Sequence, residues 1–317
     1  MTSILEFKEK LKEFYARFGV YVDMFIKFII TLTAMLLINK NIGYMEKLNN
    51  PFVVIIVSLL CSMLPYGLIA VILGACILAH VYAVSMEMMI ILAVLLLVIA
   101  ILYYGFHPSD AYIIILTPIM FALKLPYVIP LIAGLSAGIT SIIPVGCGVL
   151  LYYILAFIKN NAGLLTNDSA LEITERYKQL LKGIVTNKEM WFLIAAFALT
   201  VMIVFLIRQL SVNYSWYMAI AFGVVILLLS AFVGQSLLGI DISVGGVVIQ
   251  IVISAVIALI YTLIVFNVDY SRTETTQFED DDYYYYVKAV PKVTVKTSDK
   301  KIRKFNDTKN GDARKAD

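Results

Sequence analysis

The stretch MMIILAVLLLVIAILYYG, Met88–Gly105, runs for eighteen residues without one charged side chain. As an α-helix it would be about 27 Å long, close to the roughly 30 Å hydrocarbon core of a bilayer. A membrane strand would alternate apolar and polar residues, and this stretch does not. The run VVIIVSLLCSMLP (53–65) repeats the pattern. Across all 317 residues, 61% are hydrophobic, 15% are charged and the mean hydropathy is +0.90. Soluble domains carry about half apolar and about a quarter charged residues. The sequence therefore reads as an integral membrane protein, an all-α polytopic transmembrane helix bundle.

Working outward from Met88, apolar segments recur near 22–39, 51–65, 67–84, 87–105, 110–124, 127–142, 144–159, 190–208, 214–234 and 246–267. A crossing needs about twenty apolar residues, fewer when broken or enclosed, so these give eight to ten spans. The pair within 110–142 also reads as a re-entrant hairpin that enters and leaves on one face. Ahead of the first span, Ile4, Phe7, Leu11, Phe14 or Tyr15, and Phe18 recur at helical spacing against several charges, which predicts an interfacial amphipathic helix over 1–20. Those spread charges and the lack of a small-residue cleavage site argue against a removed signal peptide. The rest divides into a first membrane bundle (21–159), a loop (160–189), a three-span bundle (190–268) and a tail (269–317). In the loop, Ser169 and Glu172 form a capping box before Ile173, Tyr177, Leu180, Leu181 and Ile184, predicting a second interfacial helix. From Lys288 onward the tail holds ten Lys or Arg against four acids, which favours the cytoplasm, and counting spans back puts the amino terminus there too. Arg176, Lys178, Lys182 and Lys188, in the loop this count leaves outside, pull the other way.

No catalytic, cofactor or metal constellation emerges, so the chain is not expected to be an enzyme. GLSAG (134–138) matches the G-x-S-x-G pattern, but Ser136 needs a base and the two histidines, His80 and His107, lie in or beside other segments. Gly134 and Gly138 also form a G-x-x-x-G pair, which favours close helix packing. Asp23 and Lys27 are expected to pair on one face of the first span, while His80 and Gln250 are expected to bond to neighbouring helices. Cys61, Cys76 and Cys147 lie in apolar runs without ligand spacing. The net charge of +3 is small and not interleaved with exposed aromatics, so the expected partner is the lipid bilayer and not nucleic acid.

Five of the eight prolines, Pro108, Pro118, Pro126, Pro130 and Pro144, fall within 108–144, joined by Gly134, Gly138, Gly146 and Gly148. Proline inside a helix frees a carbonyl, and such breaks survive in lipid only where protein or a wet cavity satisfies the backbone. Transporters present broken helices to a substrate in this way. Thr117, Pro118, Lys124, Ser136, Thr140 and Ser141 are therefore candidate cavity-lining residues. The competing reading is a bundle of short, kinked helices with no pathway. Lys124 and Pro126 mark a turn, with Pro118 and Pro130 breaking the chain on either side.

In the tail, 283–290 and 292–297 are rich in Tyr, Val and Thr around Pro291, predicting two short strands that are marginal alone. Phe278, Tyr283, Tyr284, Tyr285, Tyr286 and Val287 are the candidate contacts for a protein partner, by strand addition. The acids Glu279–Asp282 lack the spaced ligands of a calcium loop and read as solvated charge. NIGYMEKLNNP (41–51), RQLSVNYSW (208–216) and above all FNVDYSRTETTQFEDDDYYYYVKAVPKVTV (266–295) carry a resemblance. The chain resembles uncharacterised bacterial polytopic membrane proteins of the Clostridia type, with such a tail on the cytoplasmic side. That resemblance implies a bacterial plasma membrane and transfers no activity. Two functions stay open: a permease-like or transport-associated protein with a cavity at 108–144, or a membrane scaffold of an envelope, secretion or division assembly that recruits a partner through its tail.

Overall fold

A computed structural model describes residues 2–106, 110–166, 182–239, 243–265 and 274–290. His107, Pro108, the Ser169–Glu172 capping box, the strand expected at 292–297 and the basic tail beyond it lie outside these residues. The helices are α1 (Thr2–Ile42), α2 (Pro51–Ser62), α3 (Tyr66–Tyr82), α4 (Met86–Phe106), α5 (Ala111–Ala122) and α6 (Val128–Ser136). After a 3-10 turn (Ile139–Ser141) come α7 (Ile142–Thr166), α8 (Lys188–Arg208), α9 (Ser215–Leu238) and α10 (Val244–Val265). Among the described residues, six stretches are long and apolar enough to cross a membrane: Phe7–Ile42, Met86–Gly105, Ile139–Asn161, Lys188–Arg208, Ser215–Ser236 and Gly245–Val265.

Local chemistry explains the boundaries. Asn50 caps α2 by accepting the Phe52 N–H, and Pro51 sits in the first turn, where its missing N–H costs nothing. Asn187 caps α8 by accepting the Met190 N–H. α1 is two helices joined across a kink at Phe18 (φ −122°, ψ 17°), near the expected junction between interfacial helix and span.

The segments expected at 110–124 and 127–142 are not two full crossings. α5 has 12 residues and α6 has 9, about 18 and 14 Å of helix against a bilayer core of about 30 Å. They form a hairpin whose open ends meet, since the side chain of Tyr112 near the start of α5 lies close to that of Ser136 at the end of α6. At the closed end the Leu125 N–H donates to the Met120 carbonyl and the Lys124 N–H to that of Phe121. This is the Schellman pattern, with Lys124 (φ 58°) in the left-handed position that glycine normally takes. Pro126 then prevents the helix from resuming.

This hairpin and α7 divide the bundle into two cores. Ile115 and Ile119 of α5 and Ile154 and Ile158 of α7 pack with α1–α4, whereas Ile113, Leu131, Leu135, Val145 and Val149 pack with α8–α10. Small residues set the close approaches. A Cβ on Gly134 would lie 2.7 Å from Val204 Cβ of α8, one on Gly223 of α9 2.6 Å from Leu131 Cδ2, and one on Gly148 of α7 2.5 Å from Thr117 Cβ. Gly138 lies beyond the end of α6 and meets only Thr140 Oγ1 at 3.6 Å, so the expected G-x-x-x-G pair is not a continuous helix face.

Asp23 and Lys27 also depart from expectation. Asp23 accepts the Tyr15 hydroxyl at 2.9 Å, and the Lys27 ammonium sits 5.4 Å from the centre of the Tyr66 ring. His80 is buried and satisfied on both nitrogens, by the Met45 N–H at 3.2 Å and Asn39 Oδ1 at 3.0 Å. Lys8 Nζ donates to the Leu263 carbonyl near the end of α10, and Lys288 Nζ to Asn213 Oδ1 between α8 and α9. The start of α1 and the tail thus meet the same end of the α8–α10 bundle.

In the tail, β1 (Glu274–Glu279) pairs antiparallel with β2 (Tyr284–Ala289), with Phe278 opposite Tyr285. The strand expected at 283–290 forms, but its partner lies upstream, and the acidic run is the turn between them.

The close approaches predict which glycines resist change. Gly134→Ala and Gly148→Ala each overpack a helix crossing and are expected to cost about 1–3 kcal/mol. Thermal unfolding in detergent should fall for both, while Gly105→Ala, which meets nothing within 4 Å, serves as control. Unchanged melting of both variants would contradict this packing.

Candidate functional site

Of the six residues expected to line a cavity, the structure does not bring the hydroxyls together around open space. Thr117 is fully buried and donates to the Ile113 carbonyl at 2.7 Å, in the turn loosened by Pro118. Ser141 is likewise buried and donates to the Gly138 carbonyl at 2.7 Å. Ser136 is exposed, donates to the Ile132 carbonyl at 2.8 Å and faces Tyr112. Thr140 is half-buried beside Gly138, and Lys124 is exposed at the hairpin tip. Each of the Thr117, Ser136 and Ser141 hydroxyls spends its proton on a carbonyl of its own turn. Of the six, Pro118 borders the larger of the two cavities described below.

Arg208 caps the end of α6. Its Nη1 donates to the Leu135 carbonyl at the end of α6, while its guanidinium lies 5.3 Å from the Phe205 ring and 5.7 Å from that of Trp216. A cation at a helix C-terminus is favourable, and the flanking rings hold it there. Its position just after an apolar run was visible in the sequence, but its partner, 73 positions away, was not.

Two cavities lie on either side of the wall made by α5 and α7. The larger, about 710 Å³, is bounded by α1, α3, α4, α5 and α7. Ile38, Leu73, Ile77, Leu96, Ile115 and Leu155 are typical of its walls, and Pro118 leaves α5 uneven on this side. Along α3 it extends from Gly67 to Leu78, about 17 Å of helix. Its ends are polar: the Tyr103 and Tyr104 hydroxyls lie by Gly67, and Asn41, Lys159 and Asn160 lie at the other. Lys159 Nζ donates to Asn41 Oδ1 at 2.8 Å, which leaves two of its N–H groups for other acceptors. The second cavity, about 270 Å³, lies beyond the hairpin tip and combines aromatic rings with Glu189.

No protein-family model, curated protein or solved structure matches the chain.

In the tail, Phe278 and Tyr285 stack across the strands at 4.9 Å and 20°. Tyr283, Tyr284, Tyr286 and Val287 stand exposed on the same hairpin. The turn is organised by Asp280, whose Oδ1 accepts from the N–H groups of Asp282 at 2.9 Å and Tyr283 at 3.0 Å, and whose Oδ2 accepts the Tyr285 hydroxyl at 3.1 Å. The Asp282 and Tyr283 amides, followed by that hydroxyl, hold the Asp280 carboxyl below its ordinary pKa. Among the described residues no cluster of His, Cys, Asp or Glu is arranged to hold a metal.

A depressed carboxylate pKa stabilises the folded hairpin above the unfolded value, about 3.9 for aspartate, and that contribution is lost as pH falls through the lower folded value. Acid titration of the full chain, read by the tyrosine signals of the hairpin, should therefore loosen it below about pH 4. Asp280→Asn should weaken this dependence, and an identical titration in that variant would contradict the assignment.

Proposed function

We propose that the protein is a multi-pass protein of a bacterial plasma membrane, with both chain ends cytoplasmic, and that it binds an acyl-chain amphiphile with an acidic headgroup. The six long apolar helices support the membrane assignment, and the resemblance carried by the tail supports the bacterial one. The common location of Lys8 and the β-hairpin at one end of the bundle supports placing both termini on one side.

The observation that carries the ligand is the 710 Å³ cavity, apolar along its length with Lys159 and Asn41 at one mouth. Its volume is that of an ordinary small-molecule site. Aliphatic walls accept hydrocarbon without leaving polar groups unpaired, and the Lys159 ammonium complements a carboxylate or phosphate at the mouth. The permease-like reading thus shifts from a polar pathway through Thr117 and Ser136 to a lipophilic site on the opposite face of α5. Pro118 and the loose packing of α4 supply the space.

A second reading is favoured by the tail. Its exposed tyrosines and two-stranded sheet, each strand with one edge unpaired among the described residues, suit addition of a partner's strand, as expected of a scaffold.

The ligand proposal is tested by displacement of a fluorescent fatty acid from the purified protein. Ala93→Phe and Ala100→Phe, which fill the cavity, are expected to weaken binding by about tenfold or more, and Lys159→Ala to weaken acidic amphiphiles more than their neutral alcohols. Equal binding by the native protein and the filled variants would refute it.

A further inference from the structure

The smaller cavity arises because the hairpin is short. Tyr127 packs edge-on against Phe197, with ring centroids 5.9 Å apart, in the middle of α8. The first turns of α8, with Glu189 and Phe192, extend beyond that contact. The chain fills this end with aromatic side chains instead of a further turn of helix, and a space of about 270 Å³ is left among them.

Five aromatic residues and one carboxylate line this space: Phe121 and Tyr127 from the hairpin, Tyr152 and Tyr153 from α7, and Phe192 with Glu189 from α8. The rings are fixed by one another. Phe121 stacks on Tyr152 at 4.3 Å and 20°, and Tyr153 stands edge-on to both, at 6.2 Å from Phe121 and 5.5 Å from Tyr152. Tyr153 also lies beside Glu189 on the wall of this space. A carboxylate offers roughly four acceptor sites. Among the described residues no Lys or Arg forms an ion pair with Glu189. Ser230, also on the wall, spends its proton on the Leu227 carbonyl and so presents lone pairs.

A purely architectural explanation accounts for part of this. An acid in the first turn of α8 complements the helix dipole, and the approach of Tyr153 to Glu189 joins α7 to α8. Neither requires five rings around a space of this size. Aromatic faces and a carboxylate together attract a cation that is poorly hydrated and has apolar substituents, whereas a small inorganic cation would lose more hydration than the rings return. We propose that the cavity around Glu189 is a binding site for a small organic ammonium ion, with Glu189 as counter-charge and Phe121, Tyr127, Tyr152, Tyr153 and Phe192 as its cage. The site is separate from the acyl cavity, although Tyr152 borders both.

Tetramethylammonium is the probe, titrated against the full-length protein in detergent by calorimetry, with potassium chloride at matched ionic strength. The native chain is expected to bind tetramethylammonium saturably, and Glu189→Gln and Phe121→Leu each to weaken it by about tenfold or more. Both variants are expected to keep the native melting temperature within a few degrees and to bind the fluorescent fatty acid normally, which separates this site from the acyl cavity. No saturable binding to the native chain, undiminished binding to Glu189→Gln, or equal competition by potassium would each overturn the proposal. If Phe121→Leu fails to fold, Phe192→Leu takes its place under the same criteria.

Discussion

A helical hairpin too short to cross the bundle must still satisfy every backbone group at its tip and its ends. In apolar surroundings an unmet N–H or C=O costs several kcal/mol, so this requirement governs the region between Asp110 and Ser141. The tip is closed by the Schellman bonds around Lys124, and the end of α6 by Arg208 at the Leu135 carbonyl. Thr117 and Ser141 return their hydroxyl protons to carbonyls three or four residues back. The hydroxyls that looked like a pathway spend their protons within their own turns.

Once held, the hairpin organises the rest. With α7 it forms the wall between two cores, and glycines at 134, 148 and 223 bring the neighbouring helices against it without a methyl to spare. Both cavities follow from its dimensions. Pro118 makes one face of α5 uneven, and there the α1–α4 side leaves an apolar space. The tip ends before α8 does, and there the aromatic residues gather around Glu189. The two spaces differ in charge, with a lysine at the mouth of the apolar one and a carboxylate on the wall of the aromatic one.

The long apolar helices were legible because eighteen or more uncharged residues have few other solutions. The turn at Lys124 and Pro126 was legible because proline and the flanking runs mark it whatever surrounds it. The short hairpin was legible only as one of two readings, because 110–142 has enough apolar residues for two spans as well as for a re-entrant hairpin, and the break at Ala137–Gly138 shortens its second helix. Hydroxyls in a broken helix suggest either a wet cavity or internal repair, and the sequence does not say which carbonyl each one meets. The aromatic cavity was missed for a similar reason. Tyr152 and Tyr153 look like part of an apolar run, and Glu189 looks like an ordinary helix start; only the fold brings them together. In the tail the Tyr-rich strand was visible, but the acidic run was taken for free charge, although an aspartate followed by two backbone donors is a turn signal.

The central claim is that the segment 111–141 is a packed wall whose backbone is satisfied from within the protein, with Arg208 holding its end. Hydrogen exchange measured across this segment in the full-length protein and in Arg208→Met tests it most directly. The account predicts slow exchange throughout α5 and α6 in the native chain. In the variant, exchange should accelerate at the end of α6 and through Gly138–Ser141, with α1–α4 unchanged. Rapid exchange of α5 and α6 in the native protein, or no change at Gly138–Ser141 in the variant, would contradict it.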